Sequence, residues 1–279
     1  LLPLFGCPSE SEPVPPPVPL TLPTHAEGTN PVHPMYPWPS DTWLATDPST
    51  TTGFRLEYDD LAVARNRNGD FFDVSAYRRL DGFSPASQPL MVFEQDLDMS
   101  NLPVEFEFDE SLQADCPTVL INIDTGERVA HFVQDDRRVP DLEPGSPVAL
   151  AIHPAARLAE GTHYGVVFRD SIRSVDGAQI PSWEAFAALR DGTITSSEAL
   201  EARRPRYEQL FTAAAALGVP RDEIVFGWTF HTASGDAITR ELLAMRDDAM
   251  ERVPVGGGEC SVEDVEVFQE EACDPDAQG

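Results

Sequence analysis

The feature that most constrains the fold is a pair of segments in the middle of the chain in which apolar and polar residues alternate. Apolar side chains occupy every second position in residues 148–153 and again in residues 164–168, and the loop between them carries proline and glycine. A period of two residues is typical of a β-strand with one buried face. Two strands alone are not stable in water, so they need more strands and a facing sheet. The sequence therefore predicts that these two strands pair and that a β-sandwich is built outward from them.

Other segments with a strand pattern lie on both sides of this pair. They are residues 90–93, 104–108, 119–123, 129–133 and 224–234. Residues 124–126, with the sequence D-T-G, predict a tight turn that joins 119–123 and 129–133 as a hairpin. Strands separated by turns at this spacing favour a sandwich over a βαβ fold.

Helical patterns replace the strand pattern near the C-terminal end of the folded region. Ser182 is predicted to cap a short helix, and a longer helix is predicted from Pro205 to Leu217. Ser234 is predicted to cap a third helix over residues 237–251. Both longer helices carry apolar stripes, which are Tyr207, Leu210, Phe211, Ala214 and Leu217 in one and Ile238, Leu242, Met245 and Ala249 in the other. Both stripes are predicted to face the core.

The charge of the chain excludes several classes of function. There are 19 basic and 48 acidic residues, a net charge of −29, which repels the phosphate backbone of a nucleic acid. All the basic residues are arginine, and lysine is absent. The chain therefore has no P-loop lysine, no Schiff-base lysine for pyridoxal phosphate and no Ser-Lys dyad.

The first residues are similar to the end of a lipoprotein signal peptide. Residues 1–7 read L-L-P-L-F-G-C, an apolar run that ends in a small residue followed by cysteine. Cys7 is the predicted lipidation site, which would anchor the chain to a membrane in the cell envelope, at the outer membrane or the cell surface. The alternative is that Cys7 is an ordinary disulfide cysteine. Residues 8–34 are rich in proline and predict an extended tether.

The remaining cysteines suit an oxidising compartment outside the cytoplasm. Cys260 and Cys273 are close enough in sequence to be a disulfide candidate, within an acidic, glycine-rich linker predicted at residues 253–279. Cys116 is then either buried and free or paired with something outside the chain. The folded domain, a β-sandwich with helical additions, is predicted at residues 35–252.

No catalytic, cofactor or metal site is predicted from the residues. The sequence lacks G-x-S-x-G, H-E-x-x-H and paired-cysteine spacings. His153 and His163 flank the central loop and could meet across it, but such histidines are more often structural. Trp38 and Trp43 are expected to pack across a sheet edge rather than to form a carbohydrate platform. Residues 66–70 are expected to form a surface turn rather than a calcium loop.

Several phrases occur in order between residues 35 and 250. They are P-W-P-S-D-T-W-L, D-P-S-T-T-T-G-F-R-L, L-D-G-F-S-P, T-G-E-R-V, A-R-L-A-E-G-T-H-Y-G-V-V-F, E-A-R-R-P-R-Y-E-Q-L-F and W-T-F-H-T-A-S followed by M-R-D-D-A. Together they resemble the N-terminal domain of bacterial virulence-factor-type lipases and related secreted α/β-hydrolases. The resemblance implies an immunoglobulin-like domain that begins at a lipid-modified cysteine and precedes a separate hydrolase domain with a serine triad. Cys7 matches that cysteine, and none of the family's catalytic residues has a matching position in this sequence.

The resulting expectation is a non-catalytic, lipid-anchored module that presents or braces a C-terminal lipase or esterase domain. The alternative is a free-standing surface lipoprotein that binds a ligand or a protein partner. In that case the binding surface would be the aromatic loop at residues 35–44 or an acidic face of the domain.

Overall fold

The computed structural model describes residues 16–20, 35–58, 63, 65–135, 148–253 and 257. The chain divides into two compact units, Leu1–Ile238 and Thr239–Gly279. Cys7, Cys260 and Cys273 lie outside the described residues, so the structure places neither the predicted lipidation site nor the predicted disulfide. Cys116 is buried and forms no disulfide.

The described part of the chain is mostly β, with nine strands and three α-helices. The strands are β1 (Leu44–Thr46), β2 (Phe54–Leu56), β3 (Leu90–Phe93), β4 (Thr118–Asn122), β5 (Glu127–Arg128), β6 (His131–Asp135), β7 (Val148–Pro154), β8 (His163–Arg169) and β9 (Ile224–His231). The helices are α1 (Glu184–Arg190), α2 (Glu198–Ala216) and α3 (Gly235–Arg252). The strands form three antiparallel sheets with the orders β1-β2, β3-β7-β6 and β5-β4-β8-β9.

The central pair of strands exists as predicted, but the two strands do not pair with each other. β7 lies between β3 and β6, whereas β8 lies between β4 and β9 in another sheet. Six consecutive residues of β8, from His163 to Phe168, are buried, so both faces of this strand are covered. On one face Gly165 lies against Leu210 of α2, and on the other Phe168 packs against Phe93 of β3.

The hairpin predicted around residues 124–126 is shorter than expected. The turn is present, with Gly126 at φ 73°, but it joins β4 to the two-residue strand β5. β6 instead crosses to the other sheet and pairs with β7. The strand predicted at residues 104–108 is wrong: Phe106 has φ 74° and is 83% exposed, and Phe108 begins a short 3-10 helix, Phe108–Leu112. In this segment, the apolar residues at every second position therefore do not form a buried face.

α2 packs on the four-stranded sheet through the apolar face that the sequence predicts. Tyr207, Leu210, Phe211 and Ala214 are buried. The helix reaches the sheet closely at two glycines, because a Cβ at Gly165 would lie 2.5 Å from Leu210 Cδ1 and a Cβ at Gly227 would lie 3.0 Å from Leu210 Cδ2. The absence of side chains at these positions lets α2 approach β8 and β9.

The predicted starts of the first two helices are corrected. α2 begins at Glu198, where the Ser197 hydroxyl accepts a hydrogen bond from the Leu200 amide at 3.3 Å, and Pro205 lies inside the helix. Ser182 does not cap α1, because the N-cap residue is Trp183 and the Ser182 hydroxyl accepts from the Arg190 guanidinium instead.

α3 is capped as predicted but its stripe is not a core face. The Ser234 hydroxyl accepts from the Ala237 amide at 3.2 Å. Leu242 and Met245 are 68% and 69% exposed, so the prediction that this stripe is buried is wrong. None of the helices in the described part of the chain is both long enough and apolar enough to cross a bilayer.

Part of the predicted tether makes backbone contacts. The Val18 amide donates to the Ile194 carbonyl at 2.9 Å, and the Ser196 amide donates to the Val18 carbonyl at 3.0 Å. Residues 16–20 therefore lie along residues 194–196, next to the start of α2. Proline-rich backbone can add to an exposed segment in this way because it is already extended.

Candidate functional site

Three polar side chains that are far apart in the sequence converge at one end of the four-stranded sheet. Asp41 begins a short 3-10 helix, Asp41–Trp43, while His163 begins β8 and His231 ends β9. His163 and His231 are direct partners in the antiparallel register of β8 and β9. Their rings stack with centroids 3.9 Å apart and planes 9° apart. The sheet therefore brings the two imidazoles together, and the loop before β1 supplies the carboxylate.

The loop that carries Asp41 is fixed to the sheet by hydrogen bonds. The indole N–H of Trp228 donates to the Pro39 carbonyl at 2.7 Å, and this contact is buried. The Ser40 hydroxyl accepts from the Thr42 amide at 3.2 Å and so caps the 3-10 helix. Trp228 lies on β9, three residues before His231, so one strand holds both the loop and one of the histidines.

The carboxylate of Asp41 contacts both histidines and one hydroxyl. His231 Nδ1 lies 2.8 Å from Asp41 Oδ1, and the Thr229 hydroxyl donates to Asp41 Oδ2 at 2.6 Å. His163 Nε2 lies 3.3 Å from the same Oδ2 atom. This last contact is an ion-pair distance only, and the buried Nε2 atom has no hydrogen-bond partner within the described residues.

The cluster is largely removed from solvent and strongly favours an ionised carboxylate. Asp41 is 9% exposed and His163 is 8% exposed. Burial alone raises the pKa of Asp41, but the contacts from His163 and His231, together with the nearby charge of Arg206, lower it far below its ordinary value. The site therefore contains a permanent negative charge that faces two imidazole nitrogens.

This donor set can do one of two kinds of chemistry. Two imidazole nitrogens and one carboxylate oxygen, all within 4.8 Å of one another, match the ligands that a divalent transition metal ion takes in proteins. Alternatively, a carboxylate that accepts from a histidine resembles the orienting pair of a general base. A general base also needs a nucleophile, and the Thr229 hydroxyl donates to Asp41 rather than to an imidazole.

The structure separates the two histidines that the sequence places on either side of the central loop. His153 stacks on Phe132, with ring centroids 4.4 Å apart, while His163 stacks on His231. The two histidines, which could have met across the loop, are therefore apart because their strands belong to different sheets.

The other sequence expectations about polar and aromatic residues are confirmed. Trp43 is buried, and the Trp38 indole lies edge-on to Phe83 and stacked on Tyr58, so both indoles pack against the domain rather than form an open platform. The Asn66 side chain accepts from the backbone amides of Asn68 and Asp70, as in an ordinary surface turn.

Sequence reasoning missed the contributions of Asp41 and His231. The only local sign is that His231 follows a strand pattern and Asp41 follows Ser40, a good capping residue. Neither observation reveals that β8 and β9 are neighbours, and only that pairing places His163 beside His231.

A second feature of functional interest is the apolar surface of α3 in the unit Thr239–Gly279. Leu242, Leu243, Met245 and Met250 are each more than 40% exposed. Large apolar side chains that are exposed together mark interaction surfaces more often than single exposed residues do.

Comparison with known proteins gives no further identification. No protein-family model matches the chain, and a search of curated proteins finds no significant match.

Proposed function

We propose that this chain is a non-catalytic module of the cell envelope that presents or braces an α/β-hydrolase domain located after α3 in a longer polypeptide. The observation that carries the proposal is the exposed apolar surface of α3. Its stripe at Leu242 and Met245 has the spacing of a helix face made for packing, yet both side chains are more than two-thirds exposed. A domain attached after this helix is the occupant we assign to that surface.

The resemblance to the N-terminal domain of virulence-factor-type lipases supports the same assignment. It implies an immunoglobulin-like sandwich, and one interior contact is consistent with two facing sheets. Phe93 of β3 packs edge-on against Phe168 of β8, with centroids 5.3 Å apart, so side chains of the three-stranded and four-stranded sheets share one core. Facing sheets with a common apolar core are what a sandwich requires.

The proposed localisation follows from the first residues of the sequence. Lipidation of Cys7 would hold the module at the outer membrane or cell surface, with the proline-rich segment between the anchor and the domain. This part of the proposal rests on the sequence alone.

A free-standing lipoprotein that binds a ligand through residues 35–44 has less support. Trp43 is buried, and Trp38 is occupied by an edge contact with Phe83 at 5.0 Å and a stacked contact with Tyr58 at 5.9 Å. Aromatic side chains that are already packed against the domain cannot also stack on a ligand. The apolar surface of α3 would be the partner-binding surface in that case as well.

The experiment compares two variants that change the net charge equally. Leu242→Glu/Met245→Glu adds two negative charges to the apolar stripe, and Arg240→Glu makes the same net change on the opposite face of α3. In the polypeptide that includes the hydrolase domain, we expect the first variant to lower the Tm of that domain by several degrees and the second to leave it within about 1 °C. In the chain alone, we expect Leu242→Glu/Met245→Glu to leave the Tm of the parent chain unchanged, because both side chains are exposed there.

Two outcomes would contradict the proposal. The first is a stop codon directly after Gly279 in place of a hydrolase with a G-x-S-x-G motif. The second is turnover of a p-nitrophenyl ester by the purified chain that disappears in His231→Ala, because that result would make the Asp41–His231 pair catalytic.

A further inference from the structure

We propose that Asp41, His163 and His231 form a binding site for one divalent first-row transition metal ion, such as Zn²⁺, with a structural role. This site is independent of the proposed hydrolase partner, since all three ligands lie in the unit Leu1–Ile238. Two imidazole nitrogens and one carboxylate oxygen are the donors that such ions prefer, whereas Mg²⁺ and Ca²⁺ favour oxygen ligands alone.

The distances between the donor atoms fit a single ion. Ligands about 2.0–2.1 Å from a tetrahedral ion lie roughly 3.3 Å from one another. His231 Nδ1 is 2.8 Å from Asp41 Oδ1, and His163 Nε2 is 3.3 Å from Asp41 Oδ2. All three donor atoms lie within 4.8 Å of one another, so turning the two rings out of their present stack, in which the planes are 9° apart, would bring the three atoms onto one ion.

The state of His163 is the second observation that indicates a ligand. Its side chain is nine-tenths buried, and its Nε2 atom lies 3.3 Å from Asp41 Oδ2 without a hydrogen-bond partner in the described structure. A buried polar nitrogen without a partner costs about 1–3 kcal/mol. A metal ion bound to Nε2 would satisfy this atom and would neutralise the buried carboxylate.

The surroundings of the three ligands are built like the outer shell of a metal site. The Thr229 hydroxyl donates to Asp41 and fixes the orientation of the carboxylate, as hydrogen-bonded groups around metal ligands commonly do. Phe54 packs on His231 with centroids 4.8 Å apart. The His231 side chain is 19% exposed and so offers a path for the ion. The nearby Arg206 charge opposes cation binding, which would limit the affinity.

The effect of the ion would be to cross-link three segments of the chain. Asp41 belongs to the loop before β1, whereas the two histidines belong to β8 and β9. An ion that binds all three ligands only in the folded protein stabilises that protein by mass action. We therefore expect Zn²⁺ to raise the Tm and to slow proteolysis of the loop around Asp41.

The test uses the full chain with Cys260→Ser and Cys273→Ser, so that thiolates in the C-terminal segment cannot bind Zn²⁺. After treatment with EDTA and its removal, titration calorimetry with ZnCl₂ should show one ion per chain, and the Tm should rise with Zn²⁺ but not with Mg²⁺ or Ca²⁺. His163→Ala and His231→Ala should each weaken binding at least 10-fold. His153→Ala, a histidine outside the cluster, should bind as the parent does.

A second readout covers the case in which an alanine variant fails to fold. Co²⁺ bound to two imidazoles gives visible absorption bands. We expect the folded parent chain to show these bands with one equivalent of Co²⁺ and to lose them when Zn²⁺ is added. The proposal is overturned if the folded parent chain shows no saturable Zn²⁺ binding and no Co²⁺ bands. It is also overturned if folded His163→Ala and His231→Ala bind Zn²⁺ as tightly as the parent.

Discussion

Leu→Ala should lower the free energy of unfolding by very different amounts in α2 and in α3 if the apolar stripe of α3 is exposed to solvent. Leu210 on α2 is fully buried and lies against the glycines Gly165 and Gly227, whereas Leu242 on α3 is 68% exposed. Leu→Ala removes the same atoms at both positions, so the difference reports the environment alone.

The expected magnitudes follow from these environments. Leu210→Ala should lower the free energy of unfolding by about 3–5 kcal/mol, because it leaves a cavity that the neighbouring glycines have no side chains to fill. Leu242→Ala should change it by less than about 0.5 kcal/mol, since most of that side chain is already in water.

The assay is urea unfolding of the isolated chain at 25 °C, followed by tryptophan fluorescence and by circular dichroism. The four tryptophans include the buried Trp228 and Trp43, so fluorescence reports the main unit. A loss above about 2 kcal/mol for Leu242→Ala would refute the reasoning, because it would show that the stripe is a core face within this chain.

Three other perturbations test the structure of the unit Leu1–Ile238. Burial lowers the pKa of His131 to about 4, so between pH 6.5 and pH 4 the unfolded chain binds more protons than the folded protein. The contribution of neutral His131 to the free energy of unfolding should therefore be complete above about pH 6.5. On acidification, the free energy of unfolding should fall by up to about 3 kcal/mol more in the parent chain than in His131→Gln, as measured by urea unfolding at several pH values. Gly227→Ala should lower the free energy of unfolding by at least about 2 kcal/mol in the same assay, since its Cβ would lie 2.7 Å from the Val166 carbonyl oxygen, and an unchanged value would contradict this close approach. Burial raises the pKa of the Cys116 thiol, so this residue should react with a maleimide at pH 7 at least 10-fold more slowly in the folded protein than in urea, and equal rates would contradict its placement.

The positions of the strands could be predicted from the sequence better than their pairing. The period of two residues correctly locates β4, β7, β8 and β9, and a short apolar run locates β3. It cannot show which strand lies beside which, because neighbours in the sequence form a hairpin only if the connecting loop returns the chain to the same sheet. Burial of six successive residues in β8 reflects two neighbours and a covered second face, and this differs from the one-sided burial that alternation predicts.

Helical periodicity has a similar limit. α2 and α3 both carry apolar residues at helical spacing, and only the α2 stripe is buried. The pattern indicates that a face is suited to packing, but it does not say whether the partner surface belongs to the same chain.

The candidate metal site could not be predicted because its geometry depends on long-range pairing. His163 and His231 become neighbours only through the register of β8 and β9, and Asp41 joins them only because Trp228 holds the loop at Pro39. Short ligand motifs detect sites whose donors share one helix or one turn. Donors from three separate elements leave no such motif.

The central claim, that α3 is a docking surface for a hydrolase domain, is tested most directly by amide hydrogen exchange. Exchange in residues 239–252 is compared between the isolated chain and the polypeptide that includes the hydrolase domain, with β8 as an internal reference. We expect exchange in this segment to slow at least 10-fold when the hydrolase domain is present, while β8 is unchanged. Equal exchange of residues 239–252 in the two proteins would contradict the claim.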